Sequence, residues 1–398
     1  MSSKILASLT LVGAALGAPT SVSSPLLDRQ ACSPSTDIPS VSVSGLPDPF
    51  AFADGTRVTS ADQWSCRQEE ILSAFEQYEL GDLPPAPSSL TATLSGGSIS
   101  ISLTVEGGGQ GSFSASISGA STSSPGPAII AYGFPSIPIP AGVATITFNN
   151  DNFAAQNGGG SRGQGIFYNI HGSDHSAGAL TAWAWGVARI VDALEQLGAE
   201  TTGVDPARVG VTGCSRNGKG AFVAGALDSR IALTIPQESG AGGAACWRIS
   251  DQEAAAGKNI QTARQIITEN VWFSTRFNTW TEQTTSLPHD HHLLAGLVAP
   301  RGLYIPENDI DWLGPVSTTA CMRAGKLIYE ALGVPQNLGV SVVGGHQHCQ
   351  FPSTQNAELT QFIDYFLLGG TTPPDNLDRS DVDADVNNYI DWEVPDLS

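Results

Sequence analysis

Ser215 lies in the run Gly213-Cys214-Ser215-Arg216-Asn217-Gly218-Lys219, between the apolar stretch Val209–Thr212 and a series of small residues. A serine hydroxyl becomes a nucleophile when a base takes its proton and fixed donors receive the charge that builds on the attacked oxygen. A sharp turn from strand into helix meets the second need, because the first N–H groups of a helix have no partners of their own. Such turns carry glycine two residues before and two residues after the serine. Gly213 fills the first place. Asn217 stands at the second, and the glycine comes one later, at Gly218. Asparagine tolerates left-handed backbone better than most residues, so Asn217 is expected to let the turn form. The plainer alternative is a serine that caps an ordinary helix.

The chain has seven histidines to supply a base. With a nucleophile on such a turn, the acid and then the histidine follow in sequence. His171 and His175 precede the serine and are poor candidates. His289, His291 and His292 form a cluster resembling a metal site, but ligands on adjacent positions rarely converge, so a packing role is expected. His346 and His348 follow the strand-like Leu338–Val343 and a Gly-Gly turn, before the last helix. Cysteines separate these two. Cys214 precedes Ser215 and Cys349 follows His348, so a Cys214–Cys349 disulfide would tie the nucleophile loop to a base at His348. Cys246 and Cys321 would then bridge loops around the site, and a local bridge would close Cys32 to Cys66. For the acid, Glu307, Asp309 and Asp311 stand in one strand-end loop and Glu238 stands one strand earlier. Topology ranks the later loop first.

The elements needed to hold these groups are visible in the pattern. Ser98–Gly119 alternates with period two about a Gly-rich turn and predicts a hairpin. Pro127–Gly133, Val143–Asn150, Ala207–Gly213, Ile231–Gln237, Arg301–Glu307 and Leu338–Gly344 read as strands. Ser176–Gly198, the run after Ser215, Thr319–Gly333 and Asn356–Gly369 read as helices, the first with a serine start and a glycine stop. Strands alternating with helices predict an α/β chain: a three-layer αβα sandwich with a mostly parallel sheet, of the α/β-hydrolase kind.

The 398 residues carry a net charge of −20 with only 18 Lys and Arg. Such a surface repels nucleic-acid phosphates and anionic membranes, so neither is an expected partner. Lys4 followed by the apolar Ile5–Ala18 reads as a secretory leader, too short to span a bilayer. Cleavage is expected near Gly17 or Ala18, with 18–29 as a short pro-segment. Residues 30–398 then make one catalytic domain with an acidic tail, extracellular and monomeric. No Asn-x-Ser/Thr sequon occurs.

The run Gly213–Lys219 resembles the Gly-Cys-Ser-Arg-x-Gly-Lys signature of the glucuronoyl esterases, carbohydrate esterase family 15. The resemblance extends from Cys32 to about Trp392. It includes Glu238–Arg248, Glu269–Phe277, Leu287–Ile305, Asn308–Pro315 and Gly344–Phe351. It implies Ser215 as nucleophile, His348 as base and Glu238 as its acid, against the topological ranking, with Asp309 as the fallback. It implies Arg216 at the oxyanion, Lys219, Gln261, Glu269 and Trp312 on the sugar, and cysteine pairs 32–66, 214–349 and 246–321. The implied substrates are esters between 4-O-methyl-glucuronic acid of glucuronoxylan and lignin alcohols, cleaved without cofactor or metal. An acetyl xylan or feruloyl esterase would share the fold and triad. A non-catalytic glycan-binding protein of this fold would not need the triad.

Overall fold

The computed structural model describes residues 34–398. The segments read as leader and pro-segment lie outside the described residues, as does Cys32 with its expected bridge to Cys66.

Ten strands make one sheet: β1 Ser89–Ser95, β2 Ser98–Thr104, β3 Gln110–Ser118, β4 Gly126–Tyr132, β5 Ala144–Phe148, β6 Val204–Cys214, β7 Ile231–Gln237, β8 Gly302–Glu307, β9 Leu338–Val342 and β10 Asp378–Ser380. Their order is β1-β2-β3-β5-β4-β6-β7-β8-β9-β10. The pairings β1–β2, β2–β3 and β3–β5 are antiparallel, and every pairing from β5 to β10 is parallel. Period two decides which residues face the core. On β2, Ile99, Ile101 and Leu103 are buried while Ser100 and Ser102 are exposed. β4 is apolar on both faces, as a parallel strand covered on both sides should be. Ala128 and Ile130 join a large core with the helices Ala179–Leu197, Arg216–Leu227, His291–Val298 and Pro315–Ala331. Ile129 faces the other way and packs in a smaller core with Leu359, Phe362 and Ile363 of the helix Asn356–Phe366. This is the three-layer α/β-hydrolase arrangement.

Three details differ from the sequence reading. The N-terminal hairpin is a three-stranded meander, because β1 pairs with the outer edge of β2. The helix expected to start on Ser176 starts at Ala179 with Gly178 at its cap. Ser176 Oγ is engaged elsewhere, donating to Asp82 Oδ2 at 2.7 Å. The acidic tail does more than wrap the surface, since Asp378–Ser380 extends the sheet beside Val340–Val342.

Candidate active site

Ser215 sits where β6 ends and the helix Arg216–Leu227 begins, with φ 59° and ψ −127°. Its side chain makes no capping hydrogen bond, so the helix-cap alternative fails. Both glycines of the motif are needed by contact. A Cβ on Gly213 would lie 2.5 Å from the Asn217 carbonyl oxygen, and one on Gly218 would lie 2.5 Å from that of Gln237. The glycine at plus three therefore relieves the crowding between the helix and β7. Asn217 does not take a left-handed conformation. Its side chain is a strut: Nδ2 donates to the Tyr132 carbonyl at 3.3 Å, and Oδ1 accepts from Asn150 Nδ2 at 3.0 Å.

Among the described residues, three non-glycine residues have positive φ: Ser215, Glu238 and Cys349. All three lie at the meeting of the β6, β7 and β9 ends. Backbone strain of this kind costs about 1–3 kcal/mol per residue and persists only where surrounding structure enforces it. One enforcing element is the disulfide Cys214–Cys349, with Cα atoms 5.7 Å apart. The second disulfide joins Cys246 to Cys321. Both sulfurs of the first lie within 4.8 Å of a ring nitrogen of His348. A bonded pair of sulfurs lacks the thiolates that a metal would require.

His348 Nδ1 donates to Glu238 Oε2 at 2.7 Å, and the Cys349 backbone N–H donates to the same oxygen at 2.9 Å. Glu238 Oε1 accepts from Gln237 Nε2 at 3.3 Å. The far ring nitrogen, His348 Nε2, is buried and makes no hydrogen bond within the protein, to Ser215 Oγ or any other group. His346 is occupied: its Nε2 donates to the Val343 carbonyl at 2.8 Å, and its Nδ1 is 3.6 Å from Glu238 Oε1. The carboxylates favoured by topology do other things. Asp309 is exposed and lies against Gly344, where a Cβ would collide with it. Asp311 is exposed too.

Glu307 has a part that the sequence did not signal. Its Oε1 accepts from Ser239 N at 2.6 Å, Ser239 Oγ at 2.8 Å and Gly240 N at 3.3 Å. Lys219 Nζ grips the same turn from the other side, donating to the Ser239 carbonyl at 2.5 Å. The turn that follows Glu238 is thus clamped between β8 and the helix Arg216–Leu227. Burial pushes the Glu307 carboxyl up to about 8, against the pull of the Ser239 donors. Burial likewise brings the Lys219 ammonium down to about 8, opposed by Glu307 and Glu269.

Donors for an oxyanion are few here. The Gly133 N–H donates to the Phe148 carbonyl at 2.8 Å and the Phe134 N–H to the Tyr132 carbonyl at 2.8 Å, so the loop after β4 has spent its nearest backbone donors. The Arg216 N–H opens the following helix, where N–H groups are unpaired and the helix dipole favours negative charge. The Arg216 side chain is exposed beside it.

Beyond the imidazole, the Trp312 ring lies edge-on to His348 at 4.8 Å and 75° and is 39% exposed. It borders a shallow cavity of about 340 Å³ lined by Asn259, Ile260, Gln261, Gln265, Glu269 and Trp312. The Gln261 amide donates to the Glu269 carboxylate. Lys219 Nζ lies 5.7 Å from the centre of the Trp272 ring.

Residues 101–333 match a model described as glucuronyl esterase, fungi. A curated 4-O-methyl-glucuronoyl methylesterase of Thermothelomyces thermophilus is 58% identical over 388 residues, covering 98% of this chain and 97% of the relative. A serine-to-alanine mutant of the Sporotrichum thermophile glucuronoyl esterase was solved with methyl 4-O-methyl-β-D-glucopyranuronate. It superposes with a TM-score of 0.91 at 60% identity, covering 92% of this chain and all of that one. A carbohydrate esterase family 15 glucuronoyl esterase from Caldicellulosiruptor kristjansonii matches with a TM-score of 0.76 at 28% identity, over 89% of this chain and 98% of its own. The chain belongs to the fungal glucuronyl esterase family.

Proposed function

We propose that this protein is a secreted serine esterase that hydrolyses esters of 4-O-methyl-D-glucuronic acid on glucuronoxylan with lignin alcohols. The observation that carries the reading is the Glu238–His348 pair, closed at 2.7 Å and bridged by disulfide to the strained turn holding Ser215. His348 takes the Ser215 proton as Oγ attacks the uronate carbonyl. Glu238 fixes the ring so that Nε2 is the free base, and stabilises the imidazolium that forms. The Arg216 N–H and guanidinium receive the oxyanion. His348 then protonates the departing alcohol, and a water repeats the sequence on the acyl-enzyme to release glucuronate.

Lys219, Gln261, Glu269 and Trp312 hold the sugar. Lys219 has donors left after its bond to Ser239, the Gln261–Glu269 pair can engage ring hydroxyls, and the exposed Trp312 face suits a pyranose. The apolar leader of the sequence supports secretion, and no helix among the described residues is long and apolar enough to cross a membrane.

The test is hydrolysis of benzyl glucuronate, acetylated xylan and methyl ferulate by the native protein and by Ser215→Ala. Cleavage of benzyl glucuronate alone, lost by about 10⁴-fold or more in the variant, is expected. Preferential release of acetate or ferulate would reject the substrate, and an active Ser215→Ala would reject the nucleophile.

A further inference from the structure

The proposed uronate residues leave the other half of the ester, its alcohol, without a partner. We propose that Phe134 is the platform for the aromatic ring of that alcohol. This rests on the esterase reading above and adds to it the side from which the alcohol is held.

Phe134 is 70% exposed, more than any other large hydrophobic residue among those described. A single exposed apolar side chain needs no explanation by itself, but the position of this one does. β4 and β6 run parallel, with Ala131 paired to Thr212. β4 ends at Tyr132 and the chain turns out of the sheet at Gly133, φ 74°, so Phe134 stands at the exit of the strand next to the one that delivers Ser215. The two loops are tied there by the Asn217 bond to the Tyr132 carbonyl, and Gly133 lies close enough that a Cβ on it would be 3.8 Å from Asn217 Nδ2.

The segment is held in place. The Gly133 and Phe134 N–H groups are both bonded, Pro135, Pro138 and Pro140 fix its backbone, and Ile137 is buried in the core beside Val143. The ring is therefore presented to solvent on a stiff support, and little conformational freedom is lost when something stacks on it.

Ester geometry points the alcohol this way. The carbonyl carbon over Ser215 has three substituents in one plane, about 120° apart, as its sp² bonding dictates. Gln261 and Glu269 follow β7, Trp312 follows β8, and Lys219 is fixed to the turn after β7. The sugar thus occupies the β7–β8 side of the nucleophile and the carbonyl oxygen faces Arg216. The alkoxy group is left to project toward the loop that follows β4 and carries Phe134. The ligand class is an aryl-alkyl alcohol, whose ring stacks on the phenyl while its oxygen takes the proton from His348.

The measurement is the ratio of kcat/KM for benzyl over methyl glucuronate, in the native protein, Phe134→Ala and Phe134→Trp. Phe134→Ala is expected to lower the ratio about 3- to 10-fold, the range for one aromatic pair, and Phe134→Trp to keep it. An unchanged ratio in Phe134→Ala overturns the proposal, as does an equal fall on both esters. If the native protein cleaves neither ester, the esterase reading fails and this proposal falls with it, an outcome distinct from an active enzyme with an unmoved ratio.

Discussion

Two glutamate–histidine assemblies in this molecule have almost the same bond lengths and opposite character. In one, Glu79 accepts from His289 Nε2 at 2.9 Å, His291 Nε2 at 2.8 Å and Trp247 Nε1 at 3.0 Å, all of them buried. His291 Nδ1 is tied in turn to the Gly243 carbonyl, and the neighbouring Asp290 caps Trp247 and pairs with the buried Arg248. In the other, Glu238 holds His348 at 2.7 Å, the side chain of His348 is 26% exposed, and its Nε2 has no partner within the protein. A carboxylate on an imidazole is therefore not the mark of a catalytic pair. The first assembly uses both ring nitrogens of His291, leaves His289 Nδ1 without a partner on a fully buried ring, and faces only protein. The second leaves one nitrogen free beside a strained serine. The Pro-His-Asp-His-His run that resembles a metal site in the sequence is a buried brace for the Gly243–Arg248 segment.

The contrast gives two opposed substitutions. Glu238→Gln is expected to lower kcat on glucuronate esters by about 10³- to 10⁴-fold, because an amide no longer enforces the tautomer with a basic Nε2. The melting temperature should stay within a few degrees. A fall in stability with a preserved kcat would make Glu238 a second brace and erase the distinction.

Glu79→Gln should do the reverse. Removing one partner from a buried, hydrogen-bonded ionic cluster costs roughly 3–5 kcal/mol, read as a lower urea midpoint, while kcat of the folded protein changes by no more than about threefold. A large kcat loss at unchanged stability would bring the cluster into the chemistry.

The smallest effect is the pH dependence of stability. Burial alone would raise the Glu79 carboxyl, but His291 and His289 overcome it and hold it at about 2. Its stabilisation is present above the unfolded value of 4.5 and is lost as pH falls through about 2. Burial works to lower the His291 imidazolium, and Glu79, Asp290 and the Gly243 carbonyl together raise it above 6.5. That contribution is complete below 6.5 and drains as pH rises through the folded value. Urea midpoints of the native protein should fall on both sides, below pH 4.5 and above pH 6.5, and Glu79→Gln should flatten both limbs. Parallel profiles for the two proteins would show that the cluster does not control them.

Much of the molecule is legible in the chain because the relevant forces are local. Period-two burial on β2, the apolar runs of β4 and β6–β9 and the glycine stop at Gly198 are set by side chains within a few residues of one another. The turn at Ser215 was legible because a sharp strand-to-helix turn needs small residues at fixed offsets, and Gly213 and Gly218 carry contacts that no Cβ could make. The flanking Cys214 and Cys349 tied that turn to His348 rather than His346. What could not be read depends on groups brought together from distant segments. Asn217 acts through its side chain on Tyr132 and Asn150, not through its own backbone.

The choice of the carboxylate that meets His348 belongs to the same class. Sequence order favoured the loop after β8, yet Glu307 there turns inward to clamp Ser239 while Asp309 turns out. Glu238, held at φ 44° by that clamp, reaches the imidazole instead. The chain by itself determined the layered α/β architecture, the strand-to-helix turn at Ser215 and the small set of histidines and carboxylates that could stand near it, since these follow from spacing and residue type. Which carboxylate meets which histidine, and which of the two glutamate–histidine assemblies leaves its free nitrogen on a part-exposed ring, was decided only by tertiary packing. Hydrogen bonds and burial act over ångströms in space, and in the Glu79 assembly they join residues 212 positions apart in sequence.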